Sequence, residues 1–171
     1  KSTDITVCKM DIKSGNIIEG LFDFQADLHR HIYDTYPDIN FIEQSSLPAA
    51  LFVSKKMNID NYIPAFLDDF AQIAGENIFL FPFFESRAEE MSTEIVDALK
   101  NRSCVLVNES GALCCVSDKN DIGALKEILE KNLLALVLSW KFKNYFPISR
   151  RSAKKMRSGY IGEYSKMNLQ I

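Results

Sequence analysis

The sequence lacks the features that mark membrane, secreted and metal-thiolate proteins. No apolar run approaches the roughly 18–20 residues that cross a bilayer, and the first residues carry no signal-peptide pattern. The four cysteines, Cys8, Cys104, Cys114 and Cys115, form no CxxC pair. Neighbouring strand residues point to opposite faces, so Cys114 and Cys115 are not expected to act as one chelate. We therefore predict reduced thiols that fill the core of a cytoplasmic protein.

Histidine is scarce, since only His29 and His31 occur. The apolar spacing around them predicts a helix over residues 24–36, which Pro37 ends. Side chains at positions i and i+2 of a helix diverge by about 200°. We therefore expect no shared metal ion, but one partly buried, hydrogen-bonded histidine and one exposed histidine.

A glycine-rich phosphate loop is also missing. Residues 1–22 have the pattern of a β-hairpin whose turn lies at residues 13–16. The pair Gly15 and Asn16 lacks a second glycine, a hydroxyl residue at useful spacing and a following helix. These residues therefore predict a turn and not a phosphate site.

The composition that remains is that of one folded domain. Hydrophobic residues make up 47% of the 171 residues and charged residues 25%, which favours a sizeable core over disorder. The chain shows no repeat, low-complexity stretch or linker. We expect a single domain over residues 1–171, with a basic tail at residues 141–171.

The stretch 39–57 has the pattern of a site at the junction of a strand and a helix. Residues 41–42 are expected to end a strand, Ser45 or Ser46 to cap a helix, and Pro48 to lie in its first turn. Leu51 and Phe52 are predicted to form the buried face of that helix. Loop atoms at such a junction are held by rigid elements. The polar residues offered there include no histidine or cysteine: Glu43, Gln44, Ser45 and Ser46.

The second half of the chain alternates helical and strand periods, which predicts an α/β fold. The expected elements are a helix over 64–75, a strand over 78–84, a helix over 86–100 that starts with a capping box, strands over 104–107 and 112–116 joined by a turn, and a helix from residue 120 or 121 to 142.

The tail differs from the rest in charge. Residues 141–157 carry seven cations and no acid, whereas the whole chain has a formal net charge of −3. This pattern is typical of a solvated helix face, with binding of a small anionic ligand, an acidic neighbouring subunit or nucleic acid as alternatives. The acidic remainder of the chain argues against nucleic-acid binding as the main function.

The order of elements resembles the class II aldolase/adducin head domain family over about residues 5–139. The segment 11–20 is similar to the family's hairpin. Residues 28–33 and 36–42 resemble its Leu-His-x-x-Ile-Tyr and Arg-Pro-Asp-Val-x-x-Val segments. Residues 103–116 and the helix after them resemble its Leu-Leu-x-Asn-His-Gly strand pair and closing helix.

The resemblance implies a three-layer α/β/α fold with a mixed, mostly antiparallel sheet, and a ring tetramer with sites between subunits. Active members of the family cleave or epimerise phosphorylated sugars through a zinc-stabilised enediolate. The family's Gly-Asn-x-Ser phosphate loop would lie upstream of Lys1, so we expect the chain to lack the family's N-terminal segment.

The departures from the family occur at the positions of its metal ligands, its acid/base residue and its phosphate-binding residues. The His-x-His of active members corresponds to Glu43, Gln44 and Ser45, and a third histidine corresponds to Ser110, or to Glu109 after a shift of one residue. The acid/base glutamate corresponds to Gln25, and two phosphate-binding serines correspond to Asp23 and Phe24. Hydroxyl groups do not replace imidazole ligands of zinc, and glutamine is no general base.

Two hypotheses follow. The first is a catalytically degenerate domain, without metal or cofactor, that serves as a homotetrameric binding or assembly module. The second is an active aldolase or epimerase for small phosphorylated sugars that holds zinc through non-standard ligands such as Glu43, Glu109 and His29. Convergence of these three side chains in space distinguishes the two hypotheses.

Overall fold

Helices and strands alternate along the chain as the periodicity predicts. The computed structural model describes residues 9–10, 13–14, 16–19, 24–56, 62–82 and 88–164. The elements in order are β1 (Lys9–Met10), β2 (Ile17–Glu19), α1 (Phe24–Thr35), β3 (Phe41–Ser45), α2 (Pro48–Lys56), β4 (Tyr62–Pro64), α3 (Asp68–Ile73), β5 (Asn77–Phe81), α4 (Ala88–Ala98), β6 (Cys104–Val107), β7 (Gly111–Val116), α5 (Asp121–Phe142), α6 (Arg150–Gly159) and a π-helical turn (Tyr160–Tyr164).

Five strands form the central sheet in the order β3-β7-β6-β5-β4. The pair β5 and β6 is parallel and is connected through α4, while the other three pairs are antiparallel. The mixed, mostly antiparallel sheet is therefore confirmed. Strands β1 and β2 pair separately as an antiparallel hairpin, although residues 1–8 of the predicted hairpin lie outside the described part of the chain.

Helices cover both faces of the sheet. The α5 side carries α2, α3, α5 and α6, and its core includes Cys114 and Leu129. The α1 side carries α1 and α4, and its core includes Ile32 and Cys115. The adjacent cysteines thus point to opposite faces, as the strand period requires. The three-layer α/β/α architecture is confirmed.

The predicted strand and helix around residue 45 are shifted. Strand β3 begins at Phe41 instead of ending there, because residues 41–45 pair in register with β7. Helix α2 begins at Pro48 as expected, but it packs through Ala49, Ala50 and Val53. The buried face predicted at Leu51 and Phe52 is wrong, since Phe52 is 46% exposed. The small side chains bring α2 close to α5.

The predicted helix over 64–75 is shorter. Residues 62–64 pair with β5 as an edge strand, a position that tolerates a proline. Helix α3 then occupies only Asp68–Ile73. The predicted strand over 78–84 ends at Phe81 within the described chain, and residues 83–87, which include Ser86 at the start of the predicted capping box, lie outside it.

The basic tail is not a freely solvated segment. The Ile148 amide donates to the Ala65 carbonyl, and Ala153 of α6 is fully buried. The Arg157 guanidinium donates to the carbonyls of Gln72 and Ile73. The expected solvated face holds for Arg151, Lys154 and Lys155, which are exposed. Within the described chain, no helix has the length and apolarity needed to span a bilayer.

Candidate functional site

Strand β3 places Glu43 and Ser45 on the α5 side of the sheet. Glu43 lies opposite Cys114 and Ser45 lies opposite Ala112 in the register with β7, and both partners belong to the core under α5. The Ser45 hydroxyl donates to Glu43 Oε1 at 2.6 Å. The two predicted site residues therefore act as one hydrogen-bonded pair.

A lysine that sequence reasoning missed completes this group. Lys126 of α5 donates through Nζ to the same Glu43 Oε1 at 2.6 Å. The hydrogen bonds from Lys126 and then from Ser45 hold the pKa of Glu43 below its ordinary value. The only sequence signal for Lys126 is its position next to the buried Leu125, at the margin of the apolar stripe of α5.

The turn between β6 and β7 lies beside the end of β3. A Cβ on Gly111 would lie 2.3 Å from the Ser45 carbonyl oxygen, and Gly111 has a φ of +95°. Only glycine permits this approach of the two backbones. The neighbouring Ser110 accepts a hydrogen bond at its carbonyl from Gln44 Nε2, at 3.4 Å.

The structure does not bring Glu109 or His29 to the Glu43 group. Glu109 is exposed at the tip of the β6–β7 turn, with a φ of 62°. His29 lies half-buried on α1, which covers the opposite face of the sheet from Lys126. Gln25 lies in the first turn of the same helix. Of the two further family positions, Phe24 is the first residue of α1 and Asp23 lies outside the described residues.

The second histidine, His31, is held by hydrogen bonds to neighbouring side chains. His31 Nδ1 lies 3.0 Å from Ser92 Oγ, a buried hydroxyl on α4, and His31 Nε2 lies 3.1 Å from Arg30 Nη2. A guanidinium only donates, so Nε2 is the acceptor and Nδ1 carries the proton to Ser92. The two histidines diverge as expected, but both are partly buried, so the prediction that one is exposed is wrong.

The donor set at the Glu43 group does not fit a zinc ion. It offers one carboxylate, already bound to an ammonium and a hydroxyl, beside serines that are poor zinc ligands. Across the described ranges, no group of three or more His, Cys, Asp or Glu side chains has the arrangement to hold a metal. Lys126 would also repel a divalent cation at this position.

The cysteines that the structure describes are buried in the core. Cys104, Cys114 and Cys115 are free and buried. Burial raises the pKa of the Cys114 thiol to about 12 and raises that of Cys104 well above its usual range. Such thiols are neutral and unreactive at pH 7.

A family model described as "Class II Aldolase and Adducin N-terminal domain" matches residues 1–133. Among solved structures, an L-fuculose 1-phosphate aldolase superposes with a TM-score of 0.75 and 20% identity, over 90% of this chain and 71% of that chain.

Two further structures superpose at lower identity. YgbL from Escherichia coli, a putative aldolase/epimerase/decarboxylase, has a TM-score of 0.68 and 14% identity over 88% of this chain and 72% of that one. L-fuculose-1-phosphate aldolase from Thermus thermophilus has a TM-score of 0.63 and 14% identity over 81% of this chain and 71% of that one. At such identities the likeness concerns the fold. No curated protein matches the chain.

Proposed function

This chain belongs to the class II aldolase and adducin N-terminal domain family, and from that premise we propose that it is a catalytically degenerate member. In this proposal it serves as a binding or assembly module and needs no metal cofactor. The observation that carries the proposal is the contact between Lys126 and Glu43. The Lys126 amine lies 2.6 Å from Glu43 Oε1, the one carboxylate at the positions that the family resemblance assigns to zinc.

The arrangement of the other polar residues supports the same proposal. The ligands required by an active enzyme with non-standard coordination, Glu43, Glu109 and His29, lie on a strand, a turn tip and a helix of the opposite layer. Such a set offers no common point for one ion within a chain. The position of the family's acid/base residue holds Gln25, an amide that takes up no proton at neutral pH.

Zinc content and aldol cleavage together test the proposal. We expect less than stoichiometric zinc in protein purified without chelators or a metal-affinity tag. We also expect no cleavage of L-fuculose 1-phosphate, the substrate in the names of two structural relatives. One zinc per chain at the Glu43 group, or metal-dependent cleavage, would overturn the proposal.

A histidine graft tests the part played by Lys126. The variant Glu43→His/Ser45→His/Ser110→His restores three imidazoles, yet Lys126 still directs a positive charge at them. Adding Lys126→Met should tighten zinc binding at least tenfold in a calorimetric titration. The matched control adds Lys131→Met, which removes an exposed lysine of the same helix. Equal zinc affinity in the triple-histidine variants with Lys126→Met and with Lys131→Met would contradict the assigned role of Lys126.

Self-association is the assembly that the surface supports. Leu134, Leu138 and Phe142 recur at intervals of four residues on α5 and are 49%, 51% and 68% exposed. An apolar stripe of this kind is typical of a surface covered by a partner. We propose that it contributes to a homo-oligomer, and a tetramer by analogy with the family.

The proposed compartment is the cytoplasm. The three described cysteines are buried and unpaired, which suits a reducing environment. A thiol-labelling assay under native conditions should leave Cys104, Cys114 and Cys115 unmodified, and rapid labelling of all three would contradict this placement in the core.

A further inference from the structure

A second concave site lies away from the Glu43 group. A cavity of about 660 Å³ opens between β5, the C-terminal end of α4, and α6 with the π-helical turn. None of its lining residues belongs to β3, β7 or α5. Its volume falls in the range of roughly 300–1,000 Å³ that is typical of small-molecule sites.

A partly buried cation lies at this cavity and forms no ion pair with a carboxylate of the described ranges. Arg157 donates to the carbonyls of Asn101, Gln72 and Ile73 and to Ser103 Oγ. All of these acceptors are neutral. Partial burial lowers the pKa of this guanidinium. A charge that has lost part of its water favours a partner of opposite sign.

The count of hydrogen bonds leaves Arg157 able to bind a further acceptor. A guanidinium has five N–H groups. The contacts of Arg157 use the Nε hydrogen, both Nη1 hydrogens and one Nη2 hydrogen. One Nη2 hydrogen therefore has no acceptor among the residues that the structure describes, and Arg157 lines the cavity. An anionic ligand there would accept this hydrogen and supply the missing negative charge.

The other charged side chains around the cavity do not balance the positive charge of Arg157. Glu76 is shared by Arg150 at 3.2 Å and Arg102 at 3.8 Å. Glu94 and Asp97 lie exposed on α4, and the exposed Lys100 and Lys154 face the same opening. In total the lining holds four basic and three acidic side chains, and Glu76 is already occupied by arginines.

One wall of the cavity is aromatic. The ring centroids of Phe79 and Phe81 lie 6.3 Å apart, and the Arg102 guanidinium lies 4.7 Å from the centroid of Phe79. Ile161, 41% exposed, also lines the cavity. This apolar lining suits a flat apolar group whose charged end meets Arg157.

We propose that this cavity binds a small organic anion with a flat apolar body, of the aromatic carboxylate or sulfonate class. The site depends on the tail, because α6 and the π-helical turn supply the cation and one wall. It does not depend on the loss of aldolase chemistry, so it stands whether or not the domain is catalytic.

Fluorescence titration of the full chain with 8-anilinonaphthalene-1-sulfonate tests the proposal. We expect one dye per chain, and binding at least tenfold weaker for its uncharged analogue N-phenyl-1-naphthylamine. Lys154→Glu should weaken dye binding at least fivefold. Lys155→Glu is the matched control, because it changes the net charge equally on the same helix but does not line the cavity.

A second pair of variants locates the dye. Ile161→Asp should weaken binding, whereas Leu138→Asp, on the exposed stripe of α5, should not. The proposal is overturned if the wild type does not bind, if the neutral analogue binds equally well, if Lys154→Glu and Lys155→Glu act alike, or if only Leu138→Asp reduces binding. Far-ultraviolet circular dichroism verifies that each variant is folded.

Discussion

At the scale of single residues, the ion pair of Glu43 and Lys126 makes stability depend on pH. The pKa of Glu43 is lowered from 4.5 in the folded chain. A carboxyl group of this kind stabilises the fold above its unfolded pKa, and the contribution is lost as the pH falls through its folded pKa. We expect Lys126→Met to reduce the free energy of unfolding at pH 7 by about 0.5–1 kcal/mol.

Urea unfolding at a series of pH values measures this effect. The difference between wild type and Lys126→Met should shrink as the pH falls below the folded pKa of Glu43. The control Lys131→Met removes the fully exposed pair with Glu127 and should have a smaller effect. A difference that is independent of pH would show that packing, and not the ion pair, accounts for the loss.

Gly111 is the residue where the backbone geometry at the site is most demanding. With a φ of +95° and a Cβ position 2.3 Å from the Ser45 carbonyl oxygen, alanine is both strained and obstructed. We expect Gly111→Ala to reduce stability by about 3 kcal/mol. Gly123 in α5 is a suitable comparison, because nothing lies within 4 Å of its Cβ position.

In the comparison variant, Gly123→Ala should raise the free energy of unfolding by about 0.5 kcal/mol, since alanine favours the helix. Equal effects of the two glycine substitutions in chemical denaturation would contradict the close approach of β3 and the β6–β7 turn.

At the scale of elements, α6 is held to the domain by the hydrogen bonds of Arg157 as well as by apolar contact. The helix buries Ala153, while Arg157 bonds to carbonyls from α3 and the segment before β6. We expect Arg157→Met to cost about 1–3 kcal/mol, since several partly buried acceptors lose their donor.

Limited proteolysis gives the corresponding readout for α6. Cleavage between residues 143 and 150 should become faster in Arg157→Met. Lys155→Met, which changes an exposed cation of the same helix, should behave as the wild type. A tail that is cut equally fast in all three proteins would contradict the docking of α6.

At the scale of the whole molecule, the exposed stripe of α5 determines whether copies associate. We expect light scattering to give a mass of about four times the 19.5 kDa of one chain. Leu134→Glu/Leu138→Glu should shift this to smaller species, because two charges then face the interface. Ile18→Glu serves as control, since Ile18 is 61% exposed on the hairpin. A wild-type monomer at high concentration would contradict self-association.

The sequence by itself determined the α/β class and the approximate order of most elements, although β4 and α6 were not among the predicted elements. The short apolar runs at residues 104–107 and 112–116 and the 3.6-residue period of α5 depend only on neighbouring residues, and all three elements have the predicted character. The same local rule separates Cys114 from Cys115 across the sheet. Motif order along the chain also assigns Glu43, Ser45 and Ser110 to the family's site, and that assignment stays a prediction.

The tertiary structure alone decided what those residues contact. Lys126 lies 83 positions from Glu43, and no local period indicates which strand a lysine on the margin of a helix will reach. The outward position of Phe52 and the docking of Arg157 were likewise decided by contacts between residues distant in sequence. Periodicity tells which face of an element is buried, but the partner of that face depends on how the layers pack, and that is a property of residues distant in sequence.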